Sequence, residues 1–155
     1  MTLLLLLVHA LVAVALLGAM THQCVAAWRI PVDYAQPGFL RRFSSVTAGA
    51  YATPISALYL ANFSIGCILY PDYRLDVRPL LEGANHVLAL AAFETKEHLA
   101  VYGLGLLPGY WVLWNTQQTA YNRTSCRIVT ALLAFFVWWS FVVGLLVNNI
   151  AGLSA

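Results

Sequence analysis

From Leu3 to Trp28 the chain carries no charged side chain. A helix needs roughly 20 residues to cross the hydrocarbon core of a bilayer, so this run is long enough to span one. Residues 45–70 and 128–150 are uncharged as well, and residues 94–114 become so after a short charged start. The chain of 155 residues is 61% hydrophobic and 9% charged, with a mean hydropathy of +0.76. So few charges cannot cover that much apolar surface in water. The class that follows is an all-α integral membrane protein, a single membrane domain over residues 1–155. It is expected to form a four-transmembrane-helix bundle with spans at about 3–28, 45–70, 94–114 and 128–150. A long outer loop, 71–93, joins the second and third spans, with room for a short interfacial helix. The first span lacks the basic start of a secretory signal and its apolar run is longer than such a signal needs, so it reads as a membrane helix.

Loop charges orient the bundle. Arg29, Arg41 and Arg42 follow span one, and Arg123 and Arg127 follow span three. The 71–93 side carries Arg74, Arg78 and Lys96. Lysine and arginine accumulate on the cytoplasmic side. Both termini are therefore expected on the outer, periplasmic side of a bacterial inner membrane. The Asn122-Arg-Thr sequon then lies in the cytoplasm. Trp28, Tyr110, Trp111 and Trp114 fit an aromatic belt at the inner interface. Phe135, Phe136, Trp138, Trp139 and Phe141 fall in the middle of span four instead, as ordinary packing, as a docking face for another membrane subunit, or as the wall of a cofactor site.

The charged stretch Phe93-Glu-Thr-Lys-Glu-His is joined directly to span three. At roughly 2.5–3.5 kcal/mol per central charge, three charges in mid-membrane would cost about 8–10 kcal/mol. The cheaper placement starts span three at Glu94. Glu94 and Glu97 then lie in its first turn, where they complement the helix dipole, and Lys96 snorkels outward. Arg74 and Arg78 are available to pair with these acids, which makes Arg74, Arg78, Glu94, Lys96 and Glu97 a tied-down outer cluster. The alternation of Arg74, Asp76 and Arg78 with Leu75 and Val77 suggests a short extended piece before Pro79, and Pro79 suits the first turn of a helix. Pro54 and Pro108 are expected to kink their helices. Gly105, on the face of His98, would leave room for a flat ligand or a close helix.

The four histidines bear on cofactors. His9 and His22 are separated by about 140° of helix rotation, and His86 and His98 by about 120°, so neither pair shares a face for two stacked haems. His9 and His98 fall at similar depth near the outer surface. They are the candidate axial ligands of one haem b. Glu94 and His98, four residues apart, are a weaker alternative as metal ligands. His22 is expected to face a neighbouring helix and His86 to be solvated. Cys24, Cys67 and Cys126 stand singly, with no CxxC or zinc spacing. No phosphate loop, HExxH or GxSxG motif occurs, and no nucleic-acid footprint is present.

No nucleophile–base pair or substrate-facing pair of carboxylates emerges, so catalysis by this chain alone is not expected. A transporter or channel would call for a buried charge in mid-span, and none is expected here. The shape resembles that of small four-span bacterial subunits found beside larger redox or energy-converting complexes, an analogy of form only. The expectation is an accessory membrane subunit that meets lipid and other membrane subunits, docking by spans one and four and capping a partner with its outer loop. The alternative is a haem-b electron-transfer or quinone-side subunit.

Overall fold

In the computed structural model the described residues are 2–28, 46–116 and 120–154, and among them no strand occurs. Arg29, Arg41 and Arg42 lie outside them, as does Ser45 at the start of the second expected span. Helix α1 is Thr2–Ala27. A 3-10 turn, Ala48–Tyr51, leads into α2, Ala52–Asp72. A π-turn, Tyr73–Val77, joins α2 to the short α3, Arg78–Gly83. Then come α4, Val87–Asn115, and α5, Ala120–Ser154. Three stretches are long and apolar enough to cross a membrane: Leu3–Ala27, the continuous helix Ala48–Gly83, and Asn122–Ile150. Helix α4 has the length, but Glu94, Lys96 and Glu97 interrupt its apolar run.

The segment 71–93 is helical through most of its length rather than a loop. Pro71 lies inside α2 and supplies no N–H, so the bond back to the Cys67 carbonyl is missing. The π-turn comes directly after it, with the Arg78 N–H reaching back to the Tyr73 carbonyl. Arg74 to Arg78 are therefore helical, not extended. Pro79 sits in the first turn of α3, as its fixed φ favours.

Helix α3 stops in a Schellman motif. Asn85 takes φ 57°, and its N–H bonds to the Glu82 carbonyl at 3.1 Å while His86 N–H bonds to Leu81 at 2.9 Å. Asparagine tolerates this left-handed position better than other non-glycine residues. Helix α4 begins two residues later, at Val87, with no acid in its first turn. Glu94 and Glu97 are thus two turns or more inside the helix, beyond reach of its N-terminal dipole. The helix starts early because Ala89, Leu90, Ala92 and Phe93 pack on Leu81, Val143 and Val147. That apolar contact favours a continuous helix over a boundary at the charges. Pro54 lies in the first turn of α2, where its missing N–H has no helical partner to lose, so it opens that helix.

Helix α1 packs on α2 and α5, and α4 packs on α5 and α2. Successive long helices alternate in direction, which brings the start of α1 and the end of α5 to one end of the bundle. The main core is built from Leu16 and Met20 (α1), Ile55 and Tyr59 (α2), Leu107 and Tyr110 (α4), and Leu133 and Val137 (α5). A smaller cluster of Leu81, Val143 and Val147 closes the terminal end.

Polar side chains tie the opposite end. Tyr110 donates to Gln23 Oε1 at 2.6 Å, and Gln23 Nε2 donates to the Ala48 carbonyl at 3.0 Å. Trp114 donates to Thr130 Oγ1, Trp138 to Thr21 Oγ1, and Arg127 to the Ala27 carbonyl. Tyr110 is fully buried, so it belongs to the core and not to an aromatic belt, whereas Trp28 and Trp111 are exposed. His22 faces a neighbouring element as expected, hydrogen-bonded through Nδ1 to the Tyr51 hydroxyl.

Candidate functional site

Between the two apolar clusters lies a layer to which every long helix contributes a polar group or a glycine. His9 of α1 lies against the backbone of Asn62 and against Gly66 on α2, where a Cβ would sit 3.5 Å from His9 Cε1. Lys96 of α4 turns toward α5, with Nζ 3.8 Å from the position a Cβ would take on Gly144.

Hydrogen bonding in this layer is incomplete. His9 Nδ1 and Asn62 Oδ1 are buried, and neither has a hydrogen-bond partner. Leaving a buried polar atom unpaired costs about 1–3 kcal/mol. Lys96 has no carboxylate within 4.0 Å among the described residues. Its ammonium rests over the Phe93 ring, 4.4 Å from the centroid, and Phe93 stacks on Tyr73 with centroids 3.7 Å apart. A cation–π contact of this kind offsets part of the lost hydration, about 0.5–2 kcal/mol.

The expected outer cluster divides in two. Arg78 pairs with Glu82 at 2.8 Å and with Glu94 at 3.5 Å, joining α3 to α4 on the exposed side. Arg74 contacts Tyr70, its guanidinium lying 5.9 Å from that ring's centroid. Lys96 leaves this cluster and, partly buried, turns toward α5 instead of snorkelling outward. Glu97 is partly buried. This turn of Lys96 toward α5 gives a partly buried charge that the sequence reading did not expect.

His98 lies on the exposed face of α4, with Nδ1 bonded to the Glu94 carbonyl at 2.7 Å. The structure therefore brings His9 to Asn62 and Gly66, and turns His98 away from the interior. The Glu94 carboxylate faces Arg78, while only its backbone carbonyl meets His98. Among the described residues no three side chains of the His, Cys, Asp or Glu type gather in one place. Gly105 is open, with nothing within 4 Å of a would-be Cβ. The close approach occurs at Gly103, where Tyr59 crosses from α2 and donates to the Ala100 carbonyl at 3.0 Å.

Sequence reasoning missed Asn62 and the role of Lys96. The available signal was periodicity: Tyr59, Asn62 and Gly66 follow one another at spacings of three and four, which puts them on one helical face. Comparison with protein-family models, with curated proteins and with solved structures gave no match.

Proposed function

We propose that the chain is a four-span accessory subunit of a larger redox or energy-converting complex in a bacterial inner membrane, with both termini on the periplasmic side. Helix α4 is the fourth span, its charged turns offset by the Arg78 pairing and by the enclosed setting of Lys96. The reading rests on the middle of α5. Phe135, Trp138 and Trp139 are exposed there, and Phe135 lies 6.3 Å from Trp139 between ring centroids. Aromatic residues facing lipid concentrate at the two membrane interfaces, whereas aromatic residues at mid-depth suit a protein partner, since such contacts are rich in Trp, Tyr and Phe. The helical 71–93 segment, held by Leu81 and Arg78, supports a firm cap on that partner.

The test is a photoreactive amino acid placed at Phe135, at Trp139 and, as a lipid-facing control, at Leu4. Native membranes are illuminated before solubilisation. Protein adducts from positions 135 and 139, of one size and within a large redox-active complex on native gels, are expected. Lipid adducts alone, matching those from Leu4, would overturn the proposal.

A haem-b subunit is the second reading. Its support is the His98 ring, whose Nδ1 bond to Glu94 orients it in the manner of many metal-ligating histidines. The inward setting of His9 gives a His9–His98 axial pair less support. A visible spectrum of the reduced, purified chain separates the readings: a Soret band lost in His98→Ala favours haem, and a colourless chain favours the accessory role.

A further inference from the structure

At the end of the bundle where α1 begins and α5 ends, a groove follows the seam between α4 and α5. It opens beside Asn85 and His86, where it holds about 270 Å³. It continues over Ala92, Val143 and Val147, with about 220 Å³ more. Leu88, Ala89 and Ile150 line both parts, so the groove is continuous. We infer that it seats one acyl chain of a bilayer phospholipid, with the phosphate of that lipid at the start of α4. The inference does not depend on the partner proposed for the middle of α5.

The shape of the groove suits a chain. Ala89 and Ala92 give α4 a floor of methyl groups, while Leu88 and Leu146 stand beside it 86% and 54% exposed. The floor is firm, because Leu81 of α3 packs on Val143 and Val147, and Ala89 and Ala92 join the same cluster. From Asn85 to Ala92 the groove runs about 10 Å along the helix. One leaflet of hydrocarbon is about 15 Å deep, so the groove holds much of a chain's length within it. Hydrocarbon reaches this level of the bundle, since Leu3, Leu4 and Leu7 of α1 and Leu145 of α5 are exposed at the same end.

The mouth of the groove has the opposite character. Helix α4 starts without a cap: His86 makes no side-chain bond to the helix, and the first turn holds no acid. Among the described residues the N–H groups of Val87, Leu88 and Ala89 meet no acceptor. All three residues line the mouth. Free N–H groups and the helix dipole together favour an anion there, and phosphate in particular. Asn85 and His86 are exposed beside them and add side-chain donors, since an imidazole carries an N–H in either neutral tautomer. The nearby Glu82 carboxylate is engaged by Arg78 at 2.8 Å.

A phospholipid meets both requirements in the right order, hydrocarbon along the floor and phosphate at the surface. Free phosphate would leave the apolar floor bare. A partner's helix, about 10–12 Å across, could lie over such a groove but not in it.

The full chain in dodecyl maltoside provides the test. A phosphatidylglycerol with a diazirine midway along one acyl chain is added at a low fraction of the micelle, illuminated, and its adducts mapped by peptide mass spectrometry. Saturable labelling at Leu88, Ala92 and Leu146, above that at the exposed Leu4 and Leu132, is expected. Unlabelled dioleoylphosphatidylglycerol should compete, inorganic phosphate should not, and dioleoylglycerol, which lacks the phosphate, should compete about tenfold less well. His86→Asp gives α4 the acid its start lacks, so it should melt at or above the unmodified chain while labelling falls about tenfold. Labelling spread evenly over the exposed faces would overturn the inference, since it marks surrounding lipid only. Competition by inorganic phosphate, equal competition by dioleoylglycerol, or undiminished labelling of His86→Asp would do the same. A photoreactive residue at Leu88 in native membranes tests the remaining occupant: lipid adducts are expected, and a protein adduct of one size would overturn the inference. Because positions 135 and 139 report the α5 partner separately, either proposal can fail alone.

Discussion

Gly103→Ala tests the packing that brings α2 against α4. A Cβ on Gly103 would overlap the Tyr59 hydroxyl and lie 2.7 Å from Tyr59 Cζ. The tyrosine cannot easily give way. It is 5% exposed, and its hydroxyl is held by the Ala100 carbonyl at 3.0 Å. Either the ring moves and that bond is lost, or the two helices separate. Overpacking of this kind costs about 1–3 kcal/mol. Loss of the hydrogen bond adds about 0.6 kcal/mol in a membrane bundle, while replacing a mid-helix glycine returns about 0.8–1 kcal/mol. These last two nearly cancel, which leaves a net destabilisation of about 1–3 kcal/mol. For a chain of this length each kcal/mol moves the melting temperature by roughly 2–4 °C. The assay is a thermal melt in detergent with a thiol-reactive dye, in a Cys24→Ser, Cys67→Ser background that leaves the fully buried Cys126 as the reporter. Gly105→Ala is the control: its Cβ meets nothing within 4 Å, so it should melt at or slightly above the unmodified chain. In a Tyr59→Ala background the cost of Gly103→Ala should disappear, because the two changes share one contact. Gly103→Ala melting as high as the unmodified chain, or losing just as much without Tyr59, would refute the reasoning.

Two further outcomes follow from the other end of the bundle and from its orientation. Tyr110→Phe leaves the wholly buried Gln23 Oε1 without its donor at 2.6 Å; the cost should be about 1–2 kcal/mol, seen as a lower midpoint in the same melt, and a midpoint equal to that of the unmodified chain would show that water or another donor replaces the hydroxyl. Cysteines introduced at the exposed Asp76 and Arg123, in a Cys67→Ser background, should react with a membrane-impermeant thiol reagent from opposite sides, position 76 from the periplasm; labelling of both from one side would overturn the topology. Cys126 is unsuitable as that reporter because it is buried against the Leu113 carbonyl.

Much of the helical character was legible in the sequence because it depends on local quantities. The uncharged runs ending near Ala27, Tyr70 and Ile150 announce three apolar helices by length and hydropathy alone. Pro79 at a helix start is equally local. The fourth helix was harder to place, since its apolar run begins beyond His98 while its backbone begins at Val87. Counting charges set the boundary at Glu94. The structure sets it earlier, because Leu81 folds back on Val143 and Val147 and draws residues 89–93 into the same contact.

Composition and run length alone make the chain helical and largely apolar, with its few charges confined to residues between the long uncharged runs. They do not decide which way those charges turn. A lysine at one helical position either snorkels to the surface or enters the bundle, and the choice depends on what neighbouring helices offer at that depth. Here Gly144 leaves space on α5 and Phe93 provides an aromatic face. Gly144 lies far from Lys96 along the chain, so no local pattern joins the two. Tertiary packing alone brings them together, because a side chain's environment in a bundle is set by its neighbours across the helices.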